Sequence, residues 1–262
     1  GGARGPTTVA AECDCATHAR RNSDVDGTAD GTTAAPAGRA DRGGGVGAQA
    51  PRLALRGDER ARAATAFEQR FDNFVVGPSN ALAREAAFAL ATARHDGLRL
   101  LYLHAEPGMG KTHLARAVCG EVGPSERARY ATAEAFTNAF TAAVKARKME
   151  AFKQRVRERC DVLVIDDVPF LAGKPGTQLE LFHTVQHLVD AGRRVVLTGD
   201  RPARELTELE PQLRGLLASA FVAPIDPPDE ALRREILRAK AAAGGVRLPT
   251  ACVDLLVESL SG

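Results

Sequence analysis

A glycine-rich loop separates an apolar run from an Ala/Leu-rich segment in the stretch LRLLYLHAEPGMGKTHLARAV, which spans Leu98 to Val118. Its two glycines allow successive backbone N–H groups to face inward and bind phosphate oxygens. The lysine that follows can reach the β and γ phosphates of a nucleotide, and the next threonine can bind Mg²⁺. A helix beginning at this point directs the positive end of its dipole toward the same anion. The residues predicted to bind the nucleotide phosphates are Gly108, Met109, Gly110, Lys111 and Thr112.

The loop departs from the consensus GxxxxGK[ST] at one position, where Ala105 replaces the first glycine. Alanine is acceptable there if its φ is negative. The alternative is a plain glycine turn before a capped helix, with Lys111 merely exposed. The strand-like run before the loop and the helical segment after it favour phosphate binding, because the motif requires that context.

An acidic pair, Asp166 and Asp167, ends the apolar run VLVIDD. A carboxylate at the carboxyl end of a neighbouring strand can hold the Mg²⁺ of a bound nucleotide. We assign Asp166 to the metal and Asp167 to polarising the attacking water. A further strand, VVLTGD, ends in polar residues, of which Thr198 and Asp200 could sense the γ-phosphate. A solvated pair of aspartates is the alternative, but together with the loop these residues predict a site for ATP and Mg²⁺.

The elements that must position these residues follow from the apolar runs. Runs of strand length alternate with amphipathic helical segments, and most are continuously apolar, which is typical of strands buried on both faces. The pattern predicts an α/β fold with a parallel five-stranded sheet and helices on both faces. The predicted strands are LRLLYLH (98–104), RARYAT (127–132), DVLVIDD (161–167), RRVVLTGD (193–200) and AFVAPI (220–225).

The composition of the chain limits the class of protein, its partners and its compartment. The chain has 262 residues, 44% of them hydrophobic, which is enough for a substantial core. A net charge of +2 neither predicts nor excludes a nucleic-acid partner. Five cysteines, an odd number, fit a reducing compartment better than a disulfide framework. With no apolar run of about 18 residues and no signal sequence, we expect a soluble, cytoplasmic protein without a membrane-spanning segment.

Three regions are expected along the chain. Residues 1–66 lack aromatic side chains and any helical or strand period, which predicts a disordered Gly/Ala/Arg-rich tail or linker. Residues 67–226 are expected to form the nucleotide-binding domain, whose first helix, ALAREAAFALATAR, would be capped by Ser79 or Asn80. Residues 227–262 are expected to begin a helical lid, with one helix starting at Pro227-Pro228 and another at Pro249.

Five segments resemble, in order, the ATPase domain of DnaA, the bacterial chromosomal replication initiator family. They are FDNFVVGPSN, GMGKTHL, AEAFTNAF…RKMEAFKQRVR, DVLVIDDVPFLAGKPGTQLELFHT and VVLTGDRPARELTELE. The resemblance runs from about Phe71 to Gly262 and includes segments with no role in generic ATP binding. It implies the AAA+ P-loop fold and an ATP/ADP switch, in which ATP-bound protomers self-associate on origin DNA, open the duplex and help to load the replicative helicase.

The resemblance also implies roles for particular residues. The phosphate loop and the pair Asp166-Asp167 keep the roles given above, Asp200 is the first sensor, and Val76 lies beside the adenine. The insert AEAFTNAFTAAVKARKMEAFKQRVRE resembles helices that face single-stranded DNA in this family. Positive charges there could neutralise backbone phosphates. The candidate DNA contacts in the insert are Lys145 and Lys148, with Arg147 and Lys153 close to them. Lys174, which follows the strand of the acidic pair, matches a further family position and is the third candidate. A solvated basic helix face is the alternative.

One departure from the family concerns an arginine that reaches the ATP of a neighbouring protomer. In this chain the segment reads PQLRGLL, so that Leu216 stands at the expected arginine and Gln212 replaces an earlier one. Arg214 is two residues away and would face a different direction on a helix. In the family, the second sensor arginine and the DNA-reading helix-turn-helix domain come after the point that Gly262 matches. We therefore expect this sequence to be either a fragment of a full initiator or a divergent paralogue reduced to its ATPase core.

Three functions therefore stay open at the level of sequence. The first is an origin-binding initiator that hydrolyses ATP slowly. The second is a related regulator or helicase-loader protein that uses ATP to contact the replication machinery. The third is an ATP-binding pseudo-enzyme without the arginine finger, for which Leu216 is the motivating residue.

Overall fold

The computed structural model describes residues 69–259, which form a five-stranded parallel sheet with helices on both faces. The order of the strands across the sheet is β2-β3-β4-β1-β5. The strands are β1 (Leu100–His104), β2 (Ala128–Thr132), β3 (Val162–Asp166), β4 (Arg194–Gly199) and β5 (Phe221–Pro224). The predicted fold class is confirmed, and each of the five predicted segments contains one strand.

The helices lie between and after the strands. They are α1 (Ala81–Ala91), α2 (Lys111–Glu121), α3 (Ala133–Lys145), α4 (Met149–Lys153), α5 (Pro175–Asp190), α6 (Pro211–Ser219), α7 (Glu230–Ala243) and α8 (Thr250–Ser259). A π-helical turn (Gln154–Glu158) continues α4, and 3-10 turns cover Phe71–Asn73, Val168–Leu171 and Ala203–Glu205. None of the helices in the part of the chain that the structure describes is long and apolar enough to cross a membrane.

Alternation along the strands divides the core into two layers. Leu101, Leu103 and Val164 pack with the buried faces of α1 and α2 on one side of the sheet. Leu163 and Ile165 pack with α3, α5 and α6 on the other side. Successive side chains of a strand point to opposite faces, so a continuously apolar strand supplies both layers.

Two local expectations differ from the structure. Asn80 precedes α1, but its side chain does not cap the helix, because its Oδ1 accepts the Gly77 N–H (2.9 Å) and its Nδ2 donates to the Val75 carbonyl (3.0 Å). The helix predicted to start at Pro227-Pro228 begins instead at Glu230, since the Asp229 carboxylate accepts the Leu232 N–H at 2.8 Å and caps it. The tail predicted for residues 1–66 lies outside the described residues.

The parallel arrangement gathers the predicted site. In the sheet register His104 pairs with Gly199, and Thr132 pairs with Asp166. The loops that follow β1, β3 and β4 therefore leave the sheet at the same edge. This edge collects the glycine-rich loop, Asp167 and Asp200.

Candidate nucleotide site and basic insert

The glycine-rich loop connects β1 directly to α2, which gives it the strand–loop–helix context that the motif requires. Gly108 has φ +85° and Gly110 has φ +101°, a region that L side chains rarely adopt. A Cβ on Gly110 would lie only 3.0 Å from Cε2 of Phe74. Both the backbone conformation and the close approach of an aromatic ring therefore favour glycine at position 110.

Lys111, the first residue of α2, is half-buried and turned back over the loop. Its Nζ donates to the Ala105 carbonyl at 2.6 Å and to the Glu106 carbonyl at 2.9 Å. Burial lowers its pKa, while the nearby carboxylates, Asp166 first among them, act in the opposite direction. An ammonium held by two neutral carbonyls can exchange them for phosphate oxygens, which are stronger acceptors.

The Asp166 carboxylate lies buried at the end of β3 and accepts hydrogen bonds from three hydroxyl groups. Thr112 Oγ1 and the Tyr130 hydroxyl donate to Oδ2 at 2.8 and 2.7 Å, and Thr198 Oγ1 donates to Oδ1 at 2.5 Å. Thr112 and Asp166, the two residues assigned to Mg²⁺, are thus in direct contact. Sequence reasoning missed Tyr130, because its contact with Asp166 depends on the pairing of β2 with β3, which only the structure shows.

Thr198 is buried beneath the acidic pair, whereas a γ-phosphate sensor would be expected to face the nucleotide. Its side chain is fully buried, and besides donating to Asp166 it accepts the backbone N–H of Asp167 at 2.9 Å. The hydroxyl therefore ties β4 to both members of the acidic pair.

Asp167 adopts a left-handed conformation (φ +64°), which carries its exposed side chain away from the path of β3. Partial burial and the charges of Asp166 and Asp200 raise the pKa of its carboxyl, against the opposing effect of Lys111. Aspartate tolerates this backbone conformation better than most residues. A carboxylate with raised basicity suits the predicted role of polarising water.

Asp200 follows β4 at the rim of the same edge, where it pairs with its neighbour. The Arg201 guanidinium donates to both carboxylate oxygens at 3.1 Å, and Arg201 also lies 3.5 Å from Glu208. The negative charge of Asp200 nevertheless acts on Lys111 and on Asp167. The predicted sensor is therefore near the phosphate loop, with a carboxylate held by an arginine.

Val76 lies in a short segment that approaches helix α7 and follows the residues that contact His113 of α2. The two hydrogen bonds of Asn80 described above fix this segment, and Val76 itself remains 46% exposed. A Cβ on Gly77 would lie 2.7 Å from Cδ2 of Leu232 on α7, so the segment approaches that helix closely. An exposed apolar side chain on a fixed loop can contact the face of a nucleotide base.

His113 is a residue that sequence reasoning missed. Its Nε2 lies 2.8 Å from the Arg70 carbonyl oxygen and 3.0 Å from Asn73 Oδ1, and its ring contacts Phe74 edge-on. Burial lowers its pKa, opposed by the bond to Arg70. The histidine links α2 to the segment that leads into Val76.

The predicted DNA contacts fall into two separate places. Lys145 ends α3 and Lys148 precedes α4, so both are exposed in one turn together with Arg147, whose φ is +53°. Lys174 precedes α5, and its Nζ donates to the Phe170 carbonyl and lies 4.0 Å from the centre of the Phe170 ring. Lys145 and Lys148 therefore form one basic turn, whereas Lys174 belongs to the loop after β3.

Leu216, at the position of the expected arginine, lies on α6 and packs partly buried against the core. Gln212 is exposed on the same helix, and Arg214 is half-buried. The leucine side chain serves the packing of α6 and has no polar group to offer a neighbouring protomer.

A Mg²⁺ ion here would need oxygen ligands beyond the protein. Among residues 69–259 no group of three or more His, Cys, Asp or Glu side chains could hold a metal by itself. Mg²⁺ in phosphate-binding proteins uses one or two protein ligands together with phosphate oxygens and water. The contact between the Thr112 hydroxyl and the Asp166 carboxylate fits that requirement.

Comparison with known proteins agrees with this geometry. The family model described as the bacterial DnaA ATPase domain matches residues 66–223. The chromosomal replication initiator protein DnaA of a Thermus thermophilus strain is 36% identical over 234 residues, which cover 82% of this chain and 53% of that protein. The chain thus spans about half the length of the curated relatives that it matches.

Solved structures show the same similarity. Domain III of the Thermotoga maritima replication initiation protein DnaA superposes with a TM-score of 0.70 and 35% identity, covering 74% of this chain and 81% of that one. A replication initiator DnaA bound to AMPPCP and single-stranded DNA superposes with a TM-score of 0.68 and 28% identity, covering 74% and 60%. The family model's match extends across the glycine-rich loop, the acidic pair and the basic insert, and the chain belongs to the bacterial DnaA family with the AAA+ fold of its ATPase domain.

Proposed function

We propose that this chain binds ATP or ADP with Mg²⁺ and acts in the cytoplasm as a replication initiator, using the nucleotide as a switch for self-association on origin DNA and opening of the duplex. The observation that carries the proposal is the position of the Thr112 hydroxyl, 2.8 Å from Asp166 at the start of the helix that follows the glycine-rich loop. Family membership and the relative bound to AMPPCP and single-stranded DNA support it.

Different residues of the site would bind different parts of the nucleotide. The N–H groups of the loop at Gly108 to Gly110 and the start of α2 would bind phosphate oxygens. Lys111 would leave the two loop carbonyls for the β and γ phosphates. Val76 would contact the adenine. Mg²⁺, when bound, would neutralise phosphate charge, and Thr112 with Asp166 would hold it.

Hydrolysis would be slow and would serve to reset the switch. Asp167 would orient and polarise the attacking water, and Asp200 would report the γ-phosphate to the loop after β4. Leu216 cannot supply the positive charge that stabilises the transition state of phosphoryl transfer in related proteins. We therefore expect ATP binding to be strong relative to turnover.

Single-stranded DNA would bind the basic turn at Lys145 and Lys148, with Lys174 adding a further charge. The side chains of the first two are exposed, and such charges bind phosphates in a salt-dependent way. The replicative helicase or its loader would be a later partner of the assembled protein.

The first experiment is equilibrium binding of labelled ATP and ADP to the 262-residue chain, with Lys111→Ala as the control and sedimentation in both nucleotides. Binding that is lost in the variant, with larger assemblies in ATP alone, is the expected result. Absence of nucleotide binding in the wild-type chain would overturn the proposal.

A second candidate function is supported by Leu216. If both nucleotides bind and the protein stays monomeric, a regulatory or helicase-loading relative is favoured. If ATP binds but the protein shows no hydrolysis that depends on Asp167, the chain is an ATP-binding pseudo-enzyme.

A further inference from the structure

Five arginines surround the amino ends of β2, β3 and β4, at the opposite edge of the sheet from the glycine-rich loop. Each of these parallel strands runs for five or six residues, so the two edges lie about 16 Å apart. We name these residues the arginine cluster: Arg127, Arg129, Arg155, Arg159 and Arg193. No role assigned above to nucleotide or to Lys145, Lys148 and Lys174 involves them.

The arginine cluster carries more positive charge than its carboxylates can neutralise. Asp161 is shared by two of its members, since its Oδ2 lies 3.2 Å from Arg127 Nε and its Oδ1 accepts from Arg193. Glu126 is taken by the buried Arg194, which is not part of the cluster. Within the described part of the chain, Glu158 makes no ion pair with any of the five, so Asp161 is the one carboxylate there that pairs with the cluster, and it pairs with two of its members.

Three members of the cluster have no anionic partner among residues 69–259. Among the residues that the structure describes, Arg129, Arg155 and Arg159 form no ion pair, although Arg129 Nε donates to the Arg159 carbonyl at 2.8 Å. Burial, and beyond it the charges of Arg127, Arg155 and Arg159, lower the pKa of Arg129. Like charges held together and partly removed from water destabilise one another until an anion binds between them.

We propose that the arginine cluster is a second phosphate-binding surface, distinct from the nucleotide site, that takes the phosphodiester backbone of nucleic acid. Guanidinium groups match phosphate oxygens with paired hydrogen bonds, and several of them spaced along a sheet edge suit a ligand with repeated phosphates. The cluster also continues the basic insert, because Arg155 and Arg159 follow Lys148 and Lys153 along the same chain segment. This inference extends the proposed DNA binding but does not depend on ATP.

The test compares two double variants of equal charge in the full chain. Arg155→Gln/Arg159→Gln removes two side chains of the cluster that make no side-chain hydrogen bond among residues 69–259. Arg238→Gln/Arg247→Gln removes two exposed arginines, from α7 and the loop after it, that form no ion pair with any described residue. Binding of labelled oligothymidylate is measured without nucleotide over a range of salt concentrations, and unchanged ATP affinity shows that each variant is folded.

The cluster variant is expected to bind oligothymidylate roughly tenfold more weakly near 0.1 M salt, with the salt slope reduced by about 0.7 for each lost phosphate contact. The control variant should bind like the wild type. Equal oligothymidylate binding by the two variants overturns the proposal. Binding to anionic vesicles of phosphatidylglycerol is measured in parallel, and a cluster variant that loses vesicle binding but keeps oligothymidylate binding also overturns it. A cluster effect that persists in Lys111→Ala supports this surface even if the proposed nucleotide switch fails.

Discussion

Removing the Tyr130 hydroxyl tests how the site holds Asp166, the carboxylate proposed to bind Mg²⁺. Tyr130→Phe deletes the group that donates to Asp166 Oδ2 at 2.7 Å and leaves the ring, over which the Arg116 guanidinium lies at 5.2 Å. Tyr102→Phe is a matched control, since the other tyrosine of the chain is also buried and its hydroxyl donates to the neutral Arg201 carbonyl at 2.8 Å.

The expected cost follows from the charge of the acceptor. A hydrogen bond to a charged group contributes about 1.5–3 kcal/mol to the free energy of unfolding, and one to a neutral group about 1 kcal/mol. Asp166 keeps two other donors, Thr112 and Thr198, so its carboxylate is not left unsatisfied. We expect Tyr130→Phe to cost about 2 kcal/mol and Tyr102→Phe about half as much.

Urea unfolding of the full chain at neutral pH, without nucleotide, measures both costs. Asp166→Asn, alone and combined with Tyr130→Phe, completes a double-mutant cycle. The reasoning is refuted if Tyr130→Phe costs no more than Tyr102→Phe, or if its cost is the same with Asp166 replaced by Asn. Either result would mean that the hydroxyl does not act through the carboxylate charge.

Three further changes give distinct outcomes. Asp167→Asn introduces a residue that also tolerates the left-handed backbone at this position. Because the pKa of Asp167 is raised in the folded state from its ordinary 3.8, ionisation of this carboxyl opposes folding. The variant should unfold at higher urea than the wild type at pH 7, the gain should vanish as the pH falls toward 3.8, and a constant gain would contradict the assignment. Gly110→Ala combines strain at φ +101° with the 3.0 Å approach to Phe74, so ATP affinity should fall more than about tenfold; unchanged binding in a titration would refute the loop geometry. Asn80→Ala removes both bonds that fix the Val76 segment and should weaken ATP and ADP binding equally, whereas an effect on ATP alone would place Asn80 at the γ-phosphate.

Patterns confined to short segments allowed the main elements to be predicted. Most of the five strands follow from continuous apolar runs, and the strand–loop–helix unit at Lys111 follows from the glycines and the residues beside them. Both depend on residues within about ten positions of one another, where backbone preference and apolar periodicity act directly. The expectations at Asn80 and at Pro227-Pro228 differed from the structure because nearby polar side chains form other local hydrogen bonds. The expectation for Thr198 differed because its hydroxyl is buried against Asp166.

The surroundings of the acidic pair depended on the order and register of the strands. Tyr130 lies 36 residues before Asp166, and Thr198 lies 32 residues after it, yet both donate to that carboxylate because β2 and β4 flank β3. The same order places Arg129, Arg159 and Arg193 at one edge of the sheet. By itself the sequence determined which segments are strands and which loop can bind phosphate, since these depend on neighbouring residues. The tertiary structure alone decided which distant hydroxyls and charges meet, because that depends on how the strands pair.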